Sequence, residues 1–388
     1  MSGSDSTFDY AYSHPVIRIS SKRFDRSPFM PRWYTPETIC GIYARRLYPL
    51  STGLDTGTGY WTLRERVALF DVPERPIEIA GPDAVALLED VFTRPVSDLK
   101  LLRARYAIAC NAAGGMIMDG VLIRLDADRF WYVEANGEFE TWLDAVGLGR
   151  RVSVSDPRAH VLQVQGPRSF DVLRALAEGS LPEPFGFFHA MWLSFAGQRV
   201  LVTRSGWTGE SGFEIYVTPE VDSLGLWDWL LDVGQPYGLA FAAADVMGIR
   251  RLEAGILDYG TDLDASLTPF AAGLGQFVDF DKPEFIGRSA LLAASREVRL
   301  TGLRTTDPIP AAGAEVWKEG ARAGRMTAAT WSPSLRCSIG YVIFDDARHA
   351  TSGTQVEVVG PDLERHPGVV ASLPFLDPEK RLLRGLPL

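Results

Sequence analysis

One segment of the 388-residue chain holds side chains whose types and spacing could do chemistry, RSGWTGESGFEIYV at 204–217. In its last five residues Phe213, Ile215 and Val217 alternate with Glu214 and Tyr216. A strand has a side-chain period of two, so the carboxylate and the phenol share one face and the apolar residues the other. With the apolar set in a core, Glu214 and Tyr216 face a cleft together and offer an acceptor beside a proton-bearing phenol. A solvent-facing glutamate beside an interface tyrosine meets the same alternation and is the commoner arrangement. Asp262 and Asp264 in GTDLD could suggest a metal pair, but loop carboxylates more often serve turns and caps, and no third ligand accompanies them.

Other common chemistry is missing. There is no GxxxxGK[ST] for phosphate and no GxSxG elbow. The Gly-rich GLDTGTG (53–59) does not follow an apolar strand, against a dinucleotide fingerprint. The five histidines are scattered, without metal-ligand spacing to Cys or Glu. If the chain is an enzyme, a diffusible cofactor is expected to carry the reaction, with no metal. The net charge of −10 argues against nucleic acid and anionic membrane surfaces. No apolar run reaches the ~18 residues of a membrane span. The start, MSGSDSTFDYAYSHP, lacks a basic beginning and an apolar core, so no signal peptide is expected. Cys40, Cys110 and Cys337 read as free thiols of a reducing compartment, and the expected location is cytoplasmic.

The elements that must position Glu214 and Tyr216 follow from periodicity. IEIAGPDAVALLEDVF (77–92) and HVLQVQGPRSFDVLRAL (160–176) share one plan of apolar strand, Gly-Pro and helical pattern. Pro82 and Pro167 suit a first helical position, where the missing N–H costs nothing. VLIRLDADRFWYVEA (121–135) and MWLSFAGQRVLVTRS (191–205) read as strand pairs around tight turns. Residues 61–250 thus read as two related α+β units with antiparallel sheets. From about residue 298 short strands between Gly and Pro turns indicate a small all-β domain. Residues 1–60 read as irregular but aromatic-rich (Phe29, Trp33, Tyr34, Tyr43, Tyr48), packed on the body and expected to contribute to a donor pocket. The expected division is 1–60, 61–297 and 298–388.

The segment at 204–217 also resembles the aminomethyltransferase (glycine cleavage T-protein) family pattern R-[ST]-G-[YW]-T-G-E-x-G-[FY]-E-I-Y. Four more segments match that family in order: CNAAGGMIMDG (110–120), VQGPRS (164–169), the run from RLEAG to IGRSAL (251–291) and GRMTAATWSPSL (324–335). One such motif is weak, but five in order are strong. The resemblance implies an α+β fold of three domains in a clover-leaf, with a C-terminal barrel or jelly-roll-like domain, around a central folate cleft. It implies tetrahydrofolate as cofactor and an enzyme that moves one-carbon units. By the same resemblance Glu214 grips the pterin edge, with Tyr216 near the transferred carbon and Trp207 shaping the loop beneath the ring. Asp119 is implied as the acid–base group, and Arg251 and Lys282 stand near the cleft.

The chain also departs from the T-protein pattern. The family's Asp-Asp is Met118-Asp119, and an arginine of its A-R-D-x-L-R-L-E is Met247. Two methionines for charged groups suit an apolar or soft methyl donor. The M-D-G pattern and DVPERPIEIAGPDA (71–84) are similar to the folate-dependent demethylases, such as dimethylsulfoniopropionate demethylase. Transfer of a methyl group from a small sulfonium, ammonium or aryl methyl ether donor to folate N5 is therefore expected, without a lipoyl carrier protein. Trp33, Tyr34, Phe188 and Trp192 are the aromatic candidates for the donor, alongside Met118 and Met247. Two other readings stay open: a formaldehyde-releasing lyase on a hydroxymethyl-bearing substrate, and a non-catalytic folate-binding protein.

Overall fold

The computed structural model describes residues 20–177, 181, 184–306 and 308–387. The chain's first fifteen residues, on which the signal-peptide reading rests, lie outside these.

The two echoed stretches build the same corner twice. Strand Arg75–Ala80 turns through Gly81 into helix Ala84–Val91, and strand His160–Gln165 turns through Gly166 into helix Ser169–Leu176. Gly81 has φ +137° and Gly166 +132°. A Cβ at Gly81 would stand 2.4 Å from the carbonyl oxygen of Arg151, and one at Gly166 2.5 Å from that of Arg66. Backbone this far into positive φ and this close to another segment of the backbone admits glycine alone. The prolines lie in the corner, two residues before each helix, and not at the first helical position.

The strands form two sheets that interleave in sequence. One has the order Arg103–Cys110, Met116–Asp126, Arg129–Glu134, Arg75–Ala80, Ser153–Ser155, all antiparallel. The other runs Ala190–Phe195, Gln198–Thr203, Gly212–Val217, His160–Gln165, Val67–Val72, Leu239–Phe241 and ends in a parallel pair. Strand Val67–Val72 therefore belongs to the second sheet although its successor Arg75–Ala80 belongs to the first. Pro73 and Glu74 alone carry the chain across.

Alternation assigns the faces of the second sheet. Leu69, Leu162, Val164, Val200, Val202, Phe213 and Ile215 bury one face with Leu173, Leu226 and Leu230 from two helices. Phe70, Val161, Leu201 and Tyr216 point the other way and meet Ile123, Trp131 and Val133 of the first sheet. The facing sides of the two sheets thus share one apolar layer, which also takes in Val246, Met247 and Ile249 of the buried helix Ala244–Glu253.

Six strands between Leu300 and Ala371 close into a barrel. The barrel is fastened to the buried helix by Tyr341, whose hydroxyl meets the carbonyl oxygens of Arg251, Leu252 and Ile256, each at 3.1 Å.

The described part of residues 1–60 is more ordered than composition indicated. Asp25–Arg26, Arg46–Ser51 and Ile39–Tyr43 form a three-stranded sheet. Its tight spot is Gly41, where a Cβ would lie 2.4 Å from the ring of Tyr48. The Gly-rich stretch at 53–59 runs into helix Thr56–Glu65, started by Asp55, whose side chain accepts from the Thr58 N–H at 2.8 Å. Among the described residues no helix is long and apolar enough to cross a membrane.

Candidate active site

Glu214 sits in one cross-strand row with Phe70, Gln163 and Thr203. Register therefore decides its neighbours. Gln163 Nε2 donates to Oε1 at 3.0 Å, while Oε2 accepts from Ser205 at 2.7 Å, Tyr216 at 2.8 Å and Thr203 at 3.3 Å. The side chain is 8% exposed, so it faces neither bulk water nor the sheet's apolar core. Burial pushes its pKa up, against the hydrogen bonds from Ser205, Tyr216 and Thr203, and holds the Tyr216 phenol well above its usual value. Oε1, with a single donor among the described residues, keeps lone-pair capacity for a ligand N–H.

Trp207 belongs to the loop that joins Thr203 to Gly212, and the Arg251 guanidinium stands over its ring at 5.2 Å. Arg251 is 1% exposed and donates from Nη1 to Asp262 at 2.6 Å and to the Ile256 carbonyl at 3.2 Å. It reaches the site through the tryptophan ring. Asp262, read first as a turn residue, is its buried partner, and the Thr327 hydroxyl of the barrel also donates to it at 2.5 Å. Lys282 is held away from the site by the carbonyls of Phe92 and Arg94 and by Glu89, at 2.7, 3.1 and 2.8 Å.

A cavity of about 70 Å³ opens beside Trp207. Tyr43, Tyr48, Phe70, Met247, Glu74 and Asp258 are in its wall. Burial raises the pKa of Glu74 to about 8, helped by Glu214 and Asp258, and that of Asp71, also in the wall, to about 7. Asp119, on strand Met116–Asp126, is 8% exposed. Tyr106 donates to its Oδ2 at 2.7 Å, its Oδ1 has no partner among the described residues, and burial raises its pKa to about 7. A carboxyl with that pKa can hold or release a proton near neutrality.

The donor candidates separate. Met247 lines the cavity. Met118 does not share the setting of Asp119, because adjacent strand residues point to opposite faces. It lies 1% exposed in the core under helix Ala84–Val91, with Leu87, Leu122 and Phe130. Trp33 is buried behind the wall and donates from Nε1 to Asp71 at 2.8 Å. Tyr34 is 54% exposed and lines an outer groove with Met30 and Ile42. Phe188 stacks on Phe187, and Trp192 lies on the sheet's edge strand under Arg199 at 4.3 Å.

Sequence reading missed Glu74 and Asp258, and it named Tyr43 and Tyr48 only among the aromatic residues of the N-terminal segment, not as site residues. Glu74 had one usable signal, a charged residue after Pro73 at the break between two apolar runs. Reading also missed a buried ion cluster that draws Glu210, Glu253 and Ser332 from three of the quoted motifs. Arg250, 0% exposed, donates to Glu210 at 2.8 Å and to Glu253 at 3.2 Å, and Arg64 also pairs with Glu210. Tyr60 and Ser332 complete it through hydrogen bonds to Glu253. This cluster ties the loop of Trp207 to the barrel. Among the described residues no three His, Cys, Asp or Glu side chains group to hold a metal ion.

Comparison with known proteins agrees with this arrangement. Residues 29–282 match the model of the GCVT N-terminal domain, and residues 299–377 that of the glycine cleavage T-protein C-terminal barrel domain. The aminomethyltransferase of Streptomyces coelicolor is 35% identical over 82% of this chain and 88% of its own. That of Caldanaerobacter subterraneus subsp. tengcongensis is 33% identical over 76% and 82%. The crystal structure of glycine cleavage system aminomethyltransferase T from Bartonella henselae superposes with a TM-score of 0.82 at 25% identity, over 91% of this chain and 98% of that one. With both domain models matched in order and the fold shared, the chain belongs to the tetrahydrofolate-dependent aminomethyltransferase family of one-carbon transferases.

Proposed function

We propose that this protein moves a methyl group from a small donor to N5 of tetrahydrofolate, as a demethylase of the donor. The observation that carries the reading is Glu214, a buried carboxylate ringed by Gln163, Ser205 and Tyr216 with acceptor capacity left on Oε1. A reduced pterin presents an amide N–H beside an amino group, and a carboxylate accepts from such an edge. Tetrahydrofolate bound there supplies the nucleophilic amine.

The chain's own residues would bind, orient and move protons. Trp207, backed by Arg251, gives a flat wall for the ring. Asp119, whose Oδ1 has no partner among the described residues and whose pKa burial raises, suits the proton that N5 sheds as it becomes a tertiary amine. Met247 places an uncharged thioether in the cavity wall where an arginine would stand, which supports a methyl donor over an aminomethyl group on a charged carrier arm. Holding donor and amine in line and away from water would supply most of the rate.

The test is incubation of the protein with tetrahydrofolate and individual sulfonium, ammonium and aryl methyl ether donors, with 5-methyltetrahydrofolate followed by chromatography. The expected product forms with one donor class and needs folate. Release of formaldehyde without folate would replace this reading with the lyase. Folate binding with no product from any donor class would leave a binding protein.

A further inference from the structure

The cavity beside Trp207 combines aromatic rings with carboxyl groups. Tyr43, Tyr48, Phe70 and Trp207 give it aromatic walls, and Glu74 and Asp258 stand among them. Glu74 has an oxygen, Oε2, that is buried without a hydrogen-bond partner among the described residues. Asp258 is engaged, accepting from Tyr43 at 3.1 Å and Thr261 at 2.8 Å. At ~10–15 Å³ per water-sized group, about 70 Å³ holds roughly five such groups. That is the size of a trimethylated nitrogen or sulfur centre. Aromatic faces attract a cation whose charge is spread over methyl groups, and a desolvated carboxylate adds to the attraction.

We infer that Glu74 is the anionic contact for a methylated ammonium or sulfonium head group caged by Tyr43, Tyr48, Phe70 and Trp207, and that capture of this cation expels a proton from the cavity. This rests on the proposed methyl transfer only for calling the cation a donor.

The proton follows from the charges that face Glu74. From the Gly212–Val217 strand come Glu214 and Tyr216, and from the loop after the buried helix comes Asp258. The N-terminal hairpin brings Tyr43 and the opposing cation Arg46, whose Nη1 is bound to the carbonyls of Glu74 and Ala159 at 3.1 and 2.8 Å. Burial and the two acidic neighbours outweigh Arg46 and raise the pKa of Glu74 to about 8, so with no cation beside it the carboxyl holds its proton at neutral pH. An incoming cation favours the charged carboxylate, and the proton leaves to solvent.

The experiment is calorimetric titration of the full chain, without folate, with tetramethylammonium and with trimethylsulfonium, and with tert-butanol as the neutral probe. Repetition in two buffers of different ionisation enthalpy counts protons. The expected result is binding of at least one cation, at least about tenfold tighter than the alcohol, with up to one proton released near pH 7. Affinity should rise about fivefold from pH 7 to pH 8, the fraction of a group with pKa about 8 that becomes charged. Glu74→Gln should weaken cation binding at least about tenfold and flatten the pH profile, with tetrahydrofolate binding retained. Binding of neither cation, equal binding of the alcohol, or cation binding without proton release each overturns the inference. So does a folded Glu74→Gln protein that binds as wild type. If that variant does not fold, the wild-type proton count decides. Cation capture without methyl-folate formation would sink the transfer reaction and keep this site, while methyl-folate formation with cation binding independent of Glu74 would do the reverse.

Discussion

Tyr43 donates its phenolic hydrogen to Oδ1 of Asp258 at 3.1 Å, across 215 residues of chain. The bond closes the cavity by joining the N-terminal hairpin to the loop that follows the buried helix. The hairpin is held at two more points near its tip, by the Ala44 N–H on Asn136 Oδ1 at 3.0 Å and by Arg46 on the Ala159 carbonyl. The hairpin is therefore a wall of the site, built from a part of the chain that carries no motif.

Glu214→Ala should weaken tetrahydrofolate binding by about 10²-fold or more. Two charge-assisted hydrogen bonds at ~1.5–3 kcal/mol each are at stake. Titration calorimetry with tetrahydrofolate reads the effect, and circular dichroism shows whether the fold survives. Affinity equal to wild type would remove Glu214 from the cofactor site.

Asp119→Asn keeps size and the acceptor for Tyr106 but cannot take a proton. Turnover should fall by about 10²-fold or more with tetrahydrofolate affinity little changed. Steady-state methyl-folate production and direct binding measure the two separately, and normal turnover would exclude Asp119 from proton transfer.

Glu210→Ala leaves Arg250, 0% exposed, and Arg64 beside it without their shared carboxylate. Removing one partner of a buried ion cluster costs about 3–5 kcal/mol. Urea denaturation should show this loss, and a loss below about 1 kcal/mol would mean that water or a neighbour replaces the glutamate.

Stability should depend on pH through Asp71, whose pKa burial lifts from the ordinary carboxylate value to about 7. Across that window the folded state binds the proton and the unfolded state does not. The contribution is complete below the unfolded pKa, near 4, and is lost as pH rises through about 7, at no more than about 1.4 kcal/mol per pH unit. The urea midpoint should therefore fall between pH 6 and pH 8, and Asp71→Asn should make that fall shallower. A midpoint independent of Asp71 would place its ionised form in the fold.

The local plan was open to reading wherever periodicity acts over a few residues. Glu214 and Tyr216 share a face because a strand alternates, and the two Gly-Pro corners recur because the same positive-φ turn is needed twice. The same rule, applied to Met118 and Asp119, separates them onto opposite faces, and pattern matching by adjacency overlooked it. The aromatic residues Tyr34, Phe188 and Trp192 were chosen by type, and type says nothing about which surface a ring lies on.

By itself the sequence determined the α+β plan, the closing β domain, the family and the carboxylate strand, since each depends on short-range pattern or on motifs in order. Tertiary structure alone decided that strand Val67–Val72 joins the second sheet, that Pro73 and Glu74 bridge the two sheets, and that Tyr43 meets Asp258. Those contacts join residues tens to hundreds of positions apart, and their strength comes from burial, which no local pattern encodes.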